Sequence, residues 1–539
     1  MINLPLNTGS LLFGFDYGAT ASLLSRISEF ASGVDDDQYH YFVTVANSEG
    51  LTALVAAGSS IGATITFCFL IFFGNAISKN DEIVLSALFY FMGALLESVS
   101  GEVSWKNLTG LSILIAGRLL YGAGIALSFH SVPEYISEIS PKIGRGSICS
   151  LTEAMAVIGV CLGFLVGYLS SSGNGFIVTF RVGYIIAFVM GILALYLPRS
   201  PQSILMNGGC DEDVLKSLQY TRPTATLALV DELKEAFEDA KTVRLNWKKK
   251  VASKLEKYGK SRIFARIITA LPAELKVLFI SRTLRRCLYL ALLLVFLQQF
   301  CGQGAILYYS GTIFGILCPT NTSDCIIGFG LVKLLFVLIM VFFADSYGRR
   351  RFLIVGSSFM TFGLVMLCIG FSYQVYPLAI FGIYLSVAAN EISLATLLWV
   401  VLCEIFPQFV RSAAISIAVA TLFICATIVV LMLPYISKSV GLLAVFLMYT
   451  VTGGLSVLLL YLFVPETRGI DLEVSYKLVN IRIEKSLQCC STKVVDGDQS
   501  DDVMPSLTNI SSDSDRGDGE EEGESPFRES DPNKRINLL

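Results

Sequence analysis

Apolar and polar positions alternate along this chain in long blocks rather than at a short period. Runs of roughly 20 mostly apolar residues, the length a helix needs to cross a bilayer, recur over 2–25, 50–73, 83–99, 111–132, 148–170, 181–198, 288–315, 325–344, 352–373, 376–403, 413–435 and 442–464. They predict twelve membrane-spanning helices, spans 1 to 12, in an all-α membrane protein embedded in a lipid bilayer. Span 1 is the most polar of them. It opens at the initiator Met, contains Pro5, Asn7 and Thr8, and has no basic stretch of the kind that heads a cleavable signal. A start codon placed too late is one reading of its missing leading arm.

Composition agrees with the block pattern. Hydrophobic residues are 54% of the 539 and charged residues 16%, against about 25% charge in a soluble domain; mean hydropathy is +0.65. A formal net charge of −4 excludes a generically basic nucleic-acid partner. The 13 Cys include no C-x-x-C pair, which argues against zinc ribbons and thioredoxin-like redox chemistry. The chain contains no nucleophile elbow, zincin helix, Walker loop or haem motif, so we expect no enzyme, no cofactor and no metal site.

Basic residues set the expected sidedness. Connections after even spans carry Lys79, Lys142 and Arg145, a basic stretch over 199–286, Arg349, Arg350, Arg351 and Arg411. Connections after odd spans hold only Arg26, Lys106 and Lys438. Even connections and both termini are therefore expected in the cytoplasm, on whichever membrane carries the protein. Sequons at Asn107 and Asn321 fall on the other side, where glycosylation is possible. Cys318 and Cys325 share one outer loop, and a disulfide between them is one option.

The two halves repeat each other. Glu138-Ile-Ser-Pro-Lys-Ile-Gly-Arg145 follows span 4 and Glu404-Ile-Phe-Pro-Gln-Phe-Val-Arg411 follows span 10, both reading E-I-x-P-x-x-x-R. Two six-helix units in the same orientation suit a transporter whose site lies between them at the midplane. The expected organisation is an N-terminal half at 1–198, a cytoplasmic linker at 199–286, a C-terminal half at 287–484 and a tail at 485–539. Asp231–Lys241 and Asn246–Lys257 read as amphipathic linker helices. The tail cannot bury a core and is expected to be disordered, with trafficking or regulatory proteins as candidate partners. Its stretch 496–539 holds 13 acidic and 4 basic residues, a charge of −9 that leaves +5 for the remainder.

The chain resembles the sugar porter family of the major facilitator superfamily. The resemblance is carried by Phe13-Gly-Phe-Asp16, by Gly117-Arg118 with Gly122 and Gly124, by Pro133-Glu-Tyr-Ile-Ser-Glu138 with Pro141 and Arg145, and by Gln298-Gln299 with Gly302 and Tyr308-Tyr309. Asp345-Ser-Tyr-Gly-Arg-Arg350, Trp399 with Glu404-Ile-Phe-Pro407, and Pro465-Glu-Thr-Arg-Gly469 complete it. Gly18-Ala-Thr20 and Gly302-Gln303 are similar to the plant xylose-symporter-like branch. The resemblance implies the major facilitator fold, twelve helices as 6+6 pseudo-twofold halves with a helical linker. It also implies alternating-access transport of a monosaccharide (hexose, pentose or polyol), with protons as the coupled partner. A facilitative uniporter, a carrier of a non-sugar polar solute and a non-transporting sugar sensor stay open as alternatives.

The departures bear on mechanism. The loop after span 2 reads Gly74-Asn-Ala-Ile-Ser-Lys-Asn-Asp-Glu-Ile83 where the family has an Asp and a Gly-Arg-Arg. Arg199 and Gln202 replace Glu and Arg after span 6. Gly304 and Ala305 stand where span 7 carries an Asn, Ala395-Thr396 replaces Gly-Pro in span 10, and Leu422 and Phe423 replace Asn and Trp in span 11.

Ionisable groups deep in a span are functional candidates, since each costs about 2.5–3.5 kcal/mol to insert. The resemblance assigns Asp16 and Arg118 to proton coupling: a carboxylate beside a guanidinium keeps its charge, and one stripped of water takes a proton. A static ion pair is the alternative. Glu153 occupies the place of a substrate-binding Gln, and Lys333 faces it from span 8, so an inter-half pair between them is expected, as a second switchable charge or a substrate anchor. The competing arrangement has Lys333 snorkelling and Glu153 protonated. Gln298, Gln299 and Trp399 are expected to read sugar hydroxyls and the ring face; Glu391 is expected to act on conformation beside them. Glu138, Arg145, Asp345, Arg349, Arg350, Glu404, Arg411, Glu466 and Arg468 form an expected cytoplasmic gate of inter-half pairs, weaker in the N-terminal half where the motif is rewritten. His130 is expected to pack beside span 4 without catalytic use.

Overall fold

The computed structural model describes residues 3–31, 44–73, 77–101, 108–139, 145–170, 175–206, 208–221, scattered positions over 226–249, 273–343, 348–467 and 472–490. Asn107, Asp345, Arg468, the side chains of Glu138 and Arg145, most of the second expected linker helix and the tail beyond 490 lie outside the described residues.

Each apolar block folds as a helix: Asn3–Ala31, Glu49–Phe73, Lys79–Val99, Leu108–Ile139, Arg145–Leu169 and Gly175–Leu195 make spans 1 to 6. Thr322–Phe343 is span 8, Arg349–Ser372 span 9, Gln408–Ser439 span 11 and Leu442–Phe463 span 12. In the bilayer a helix satisfies every backbone donor and acceptor internally, so the apolar runs have no competing solution. Eleven helices among the described residues are long and apolar enough to cross a membrane. Span 1 falls short of them because it carries Asn7, Ser10, Asp16 and Thr20, all buried against neighbouring helices.

Two spans depart from the continuous helices that their hydrophobicity predicts. Span 7 is three pieces, Arg282–Phe300, Gln303–Tyr308 and Ser310–Leu317, and the first break falls at Gly302, whose φ is +76°. That left-handed conformation suits glycine, and a Cβ there would run into the Tyr449 ring. Gly302→Ala is therefore expected to cut the yield of folded protein sharply, measured by size-exclusion profile in detergent. Span 10 runs Tyr376–Asn390, a π-helical turn Glu391–Ala395, and Thr396–Glu404. Apolar periodicity does not register an inserted residue of this kind. Here Ala395-Thr396 takes the place of Gly-Pro, and the Thr396 hydroxyl donates to the Glu391 carbonyl at 2.7 Å, closing the widened turn.

The helices pack in two equivalent sets. Spans 1·5, 2·4, 3·4 and 3·6 touch in the first half, as do 7·11, 8·10, 9·10 and 9·12 in the second. The halves meet through the symmetric pairs 2·11 and 8·5 and through 1·7, which is the 6+6 pseudo-twofold arrangement of the major facilitator fold. Close seams use small residues: a Cβ on Gly18 of span 1 would lie 2.7 Å from the Val160 carbonyl and 2.8 Å from Gly163 Cα of span 5. Span 10 is the most enclosed, with 89% of its apolar window buried, and spans 8 and 12 the least, at 22% and 28%. Phe69, Phe188, Phe342 and Val451 are exposed apolar side chains on the outer surface, as a lipid-facing wall requires.

In the linker, Pro201–Met206 and Asp211–Thr221 are helices. Val214, Leu218 and Val230 form a small core there, and Lys234 pairs with Asp211 at 2.6 Å. The described positions of the first expected amphipathic linker helix are helical. Cys318 and Cys325 are free thiols, so the disulfide considered for their loop is not formed. Asn321, in the same loop, is exposed.

Candidate functional site

A cavity between the halves is lined from spans 1, 5, 7, 8, 10 and 11. The interrupted helices put its polar groups in place. Gln298 and Gln299 end the first piece of span 7, Gln303 begins the second, and Asn390 and Glu391 flank the start of the π turn; all five line the cavity. Gln299 Nε2 reaches Gln298 Oε1 only at 3.5 Å. Both amide atoms of Gln303, Asn390 Oδ1 and Glu391 Oε2 are buried with no hydrogen-bond partner among the described residues. The residues that bear these four atoms all line the cavity, and amides and carboxylates are groups that can answer ligand hydroxyls. Gln303 also supplies an amide beside Gly304, the position that lacks the expected Asn. Sequence reasoning noted Gln303 only as a branch feature and passed over Asn390; a buried amide next to a helix break was the available signal.

Aromatic side chains narrow the cavity at both ends. Towards the face that carries the linker, Phe129 packs on Trp399 at 5.2 Å between ring centroids and on Phe13 at 4.7 Å, and Phe423 lies 6.0 Å from Phe129. Trp399 thus gives part of its ring to this floor, and its indole N–H donates to Glu153 Oε2 at 3.2 Å, while the side chain still lines the cavity. Phe423, which replaces the family's Trp, joins the floor instead of the binding wall. Towards the opposite face Tyr17 and Tyr308 are 4.3 Å apart, and a Cβ on Gly311 of span 7 would sit 2.8 Å from Ser25 Cβ of span 1.

Two charged clusters lie among the spans, and the second lines the cavity. In the first, Arg118 forms a salt bridge with Asp16, both buried. Ser59 donates to Asp16 Oδ2 at 2.7 Å, and Arg118 donates to Ser59 Oγ and to the Val55 carbonyl, each at 3.3 Å. Glu97 of span 3, which sequence reasoning missed, places Oε1 3.7 Å from Arg118 Nη1. Its position near a span end disguised it as a boundary residue. In the second cluster, Lys333 and Glu153 approach to 4.0 Å across the two halves. The direct partner of Lys333 is a correction to the expected pair: it bonds Glu391, in its own half. Glu391 opens the π turn, which packs against span 8, a contact that linear spacing could not reveal.

At the linker face, Arg349 bonds Glu404 at 3.0 Å within the C-terminal half, and Glu466 accepts the backbone N–H groups of Arg349 and Arg350 at 2.8 and 3.3 Å. Arg350 donates to the Tyr461 carbonyl and Arg411 to that of Phe406. These contacts lie inside the C-terminal half, while Glu134 of span 4 hydrogen-bonds Ser412 of span 11 across the halves at the same face. The rewritten N-terminal motif is not empty of charge. Lys79 pairs with Glu134 at 2.6 Å and lies 3.5 Å from Glu82, which meets His130 Nδ1 at 2.9 Å. His130 therefore belongs to an ion-pair cluster, and the expected weakness of this half is met by a different set of charges.

A family model described as "Sugar (and other) transporter" matches residues 2–477. The chain is 31% identical over 480 residues to D-xylose-proton symporter-like 3, chloroplastic, of Arabidopsis thaliana, covering 86% of this chain and 79% of that protein. It is 25% identical over 488 residues to the arabinose-proton symporter of Escherichia coli K12, covering 88% and 91%. Among solved structures, the proton:xylose symporter XylE bound to 6-bromo-6-deoxy-D-glucose superposes with a TM-score of 0.69 at 23% identity, over 89% of this chain and 98% of that one. At that identity the likeness is one of fold.

Proposed function

We propose that this chain, which belongs to the sugar transporter family, moves a monosaccharide (hexose, pentose or polyol) across a membrane by alternating access, coupled to protons through Asp16 and Arg118. The observation that carries this reading is the cavity between the halves, lined by Gln298, Gln299, Gln303, Asn390, Glu391 and Trp399. Vicinal hydroxyls both donate and accept, and amides answer them in both senses. A neutral solute is favoured over an organic acid because Lys333, the only cation lining the cavity among the described residues, is already held by Glu391 with Glu153 at 4.0 Å. Rocking of the halves about the 2·11 and 5·8 seams would open the aromatic floor and the Tyr17–Tyr308 contact in turn. The basic linker-side connections support cytoplasmic termini.

Uptake by purified protein in liposomes, over a panel of hexoses, pentoses and polyols under an imposed inward proton gradient, tests the reading. One or more of these sugars is expected to accumulate; a protein that binds sugars without moving them would instead be a sensor. Gln303→Leu is expected to weaken the best substrate by about 1–3 kcal/mol, a rise of roughly 5-fold to 150-fold in the half-saturating concentration, read from counterflow titration.

A further inference from the structure

Glu153, Lys333 and Glu391 contribute two carboxylates and one ammonium to a buried site. Lys333 is committed to Glu391, so Glu153 has only the neutral Trp399 N–H at 3.2 Å and the ammonium at 4.0 Å. No rearrangement of one cation can neutralise both carboxylates, and an uncompensated buried carboxylate takes up a proton. The other titratable groups facing this site are Tyr17 of span 1 and Cys161 of span 5, and neither carries positive charge to offer.

The first cluster has the same count, Asp16 and Glu97 against Arg118, but those three residues sit on spans 1, 3 and 4 of one half. The second cluster crosses the halves: Glu153 is on span 5, and Lys333 and Glu391 are on spans 8 and 10. Its charge balance is therefore tied to the seam that must move during transport. We propose that Glu153, Lys333 and Glu391 form a second proton-binding site, separate from Asp16, whose occupancy decides whether Lys333 ties the halves together. With the proton on Glu153, Lys333 stays with Glu391 and the 5·8 seam is free. Without it, the Glu153 carboxylate draws Lys333 across and bridges the halves. The inference rests on the transport reading above, since a latch matters only if the halves rock.

Sugar counterflow in liposomes, with equal pH inside and outside and Asp16→Asn as the background, isolates this site. The counterflow retained by D16N is expected to fall as pH rises, approaching tenfold per pH unit above its midpoint, the limiting slope for loss of one proton. Adding Glu153→Gln is expected to flatten the profile, because the amide neither loses a proton nor captures Lys333. If the double variant does not fold, Lys333→Met in the same background removes the latch cation and is also expected to flatten it. A flat profile in D16N alone, or a slope that survives both second substitutions, overturns the second site while leaving transport intact. Absence of counterflow in the wild type, with every sugar of the panel, overturns the transport reading and the inference with it.

Discussion

Asp16→Asn is expected to collapse pH-driven sugar accumulation to near the external concentration while counterflow remains measurable above protein-free liposomes. Asn preserves the volume but only one of the two acceptor oxygens that Arg118 and Ser59 bond, so the change removes the charge, the ability to carry a proton and one accepted hydrogen bond. A single coupled proton can sustain up to about a tenfold sugar gradient per pH unit, equivalent to ~1.4 kcal/mol, and D16N would forfeit all of it. The separation of the two assays is the informative result. Counterflow asks only that the loaded cavity change sides, whereas accumulation asks that a proton change sides with it. Accumulation persisting in D16N would remove Asp16 from coupling and return the Asp16–Arg118 pair to a structural role.

Arg118→Leu is expected to destabilise the folded protein by about 3–5 kcal/mol, the cost of removing one partner from a buried ion pair. The guanidinium serves Asp16, Glu97, Ser59 and the Val55 carbonyl at once. Leu satisfies none of them and leaves two carboxylates in a low-dielectric interior. The deficit should shrink as pH falls, because protonated carboxyls no longer require the cation. Thermal unfolding in detergent at neutral and acid pH measures both effects. A loss under about 1 kcal/mol, or one independent of pH, would show that water or rearranged neighbours satisfy this cluster instead.

Much of the architecture was legible because a bilayer leaves the chain few choices. The apolar blocks determined where helices run, and the two E-I-x-P-x-x-x-R octapeptides, ending at Arg145 and Arg411, marked the repeat. Asp16 and Arg118 were readable as charges inside spans, where burial is costly, and their pairing was implied by the family resemblance. The site resisted sequence reading where backbone irregularity decides direction. Gln303 lines the cavity just after span 7 breaks at Gly302, and Glu391 meets Lys333 where span 10 begins its π turn. Glu97 and His130 gained their partners through contacts between helices far apart in the chain. The expected inter-half pair of Glu153 and Lys333 was right in placing them together and wrong about which carboxylate holds the ammonium.

By itself, then, the sequence determined the number and approximate limits of the helices, their grouping into two like halves and the charges of Asp16, Arg118, Glu153 and Lys333 inside spans. Hydrophobic length, internal hydrogen bonding and the cost of burying charge act locally enough to be read along the chain. Only the tertiary structure decided how the charges are partnered and which amides are left unpaired around the cavity. Those outcomes depend on helix rotation and on two local breaks, each of which turns a side chain through a large angle without changing the hydrophobic pattern that precedes or follows it.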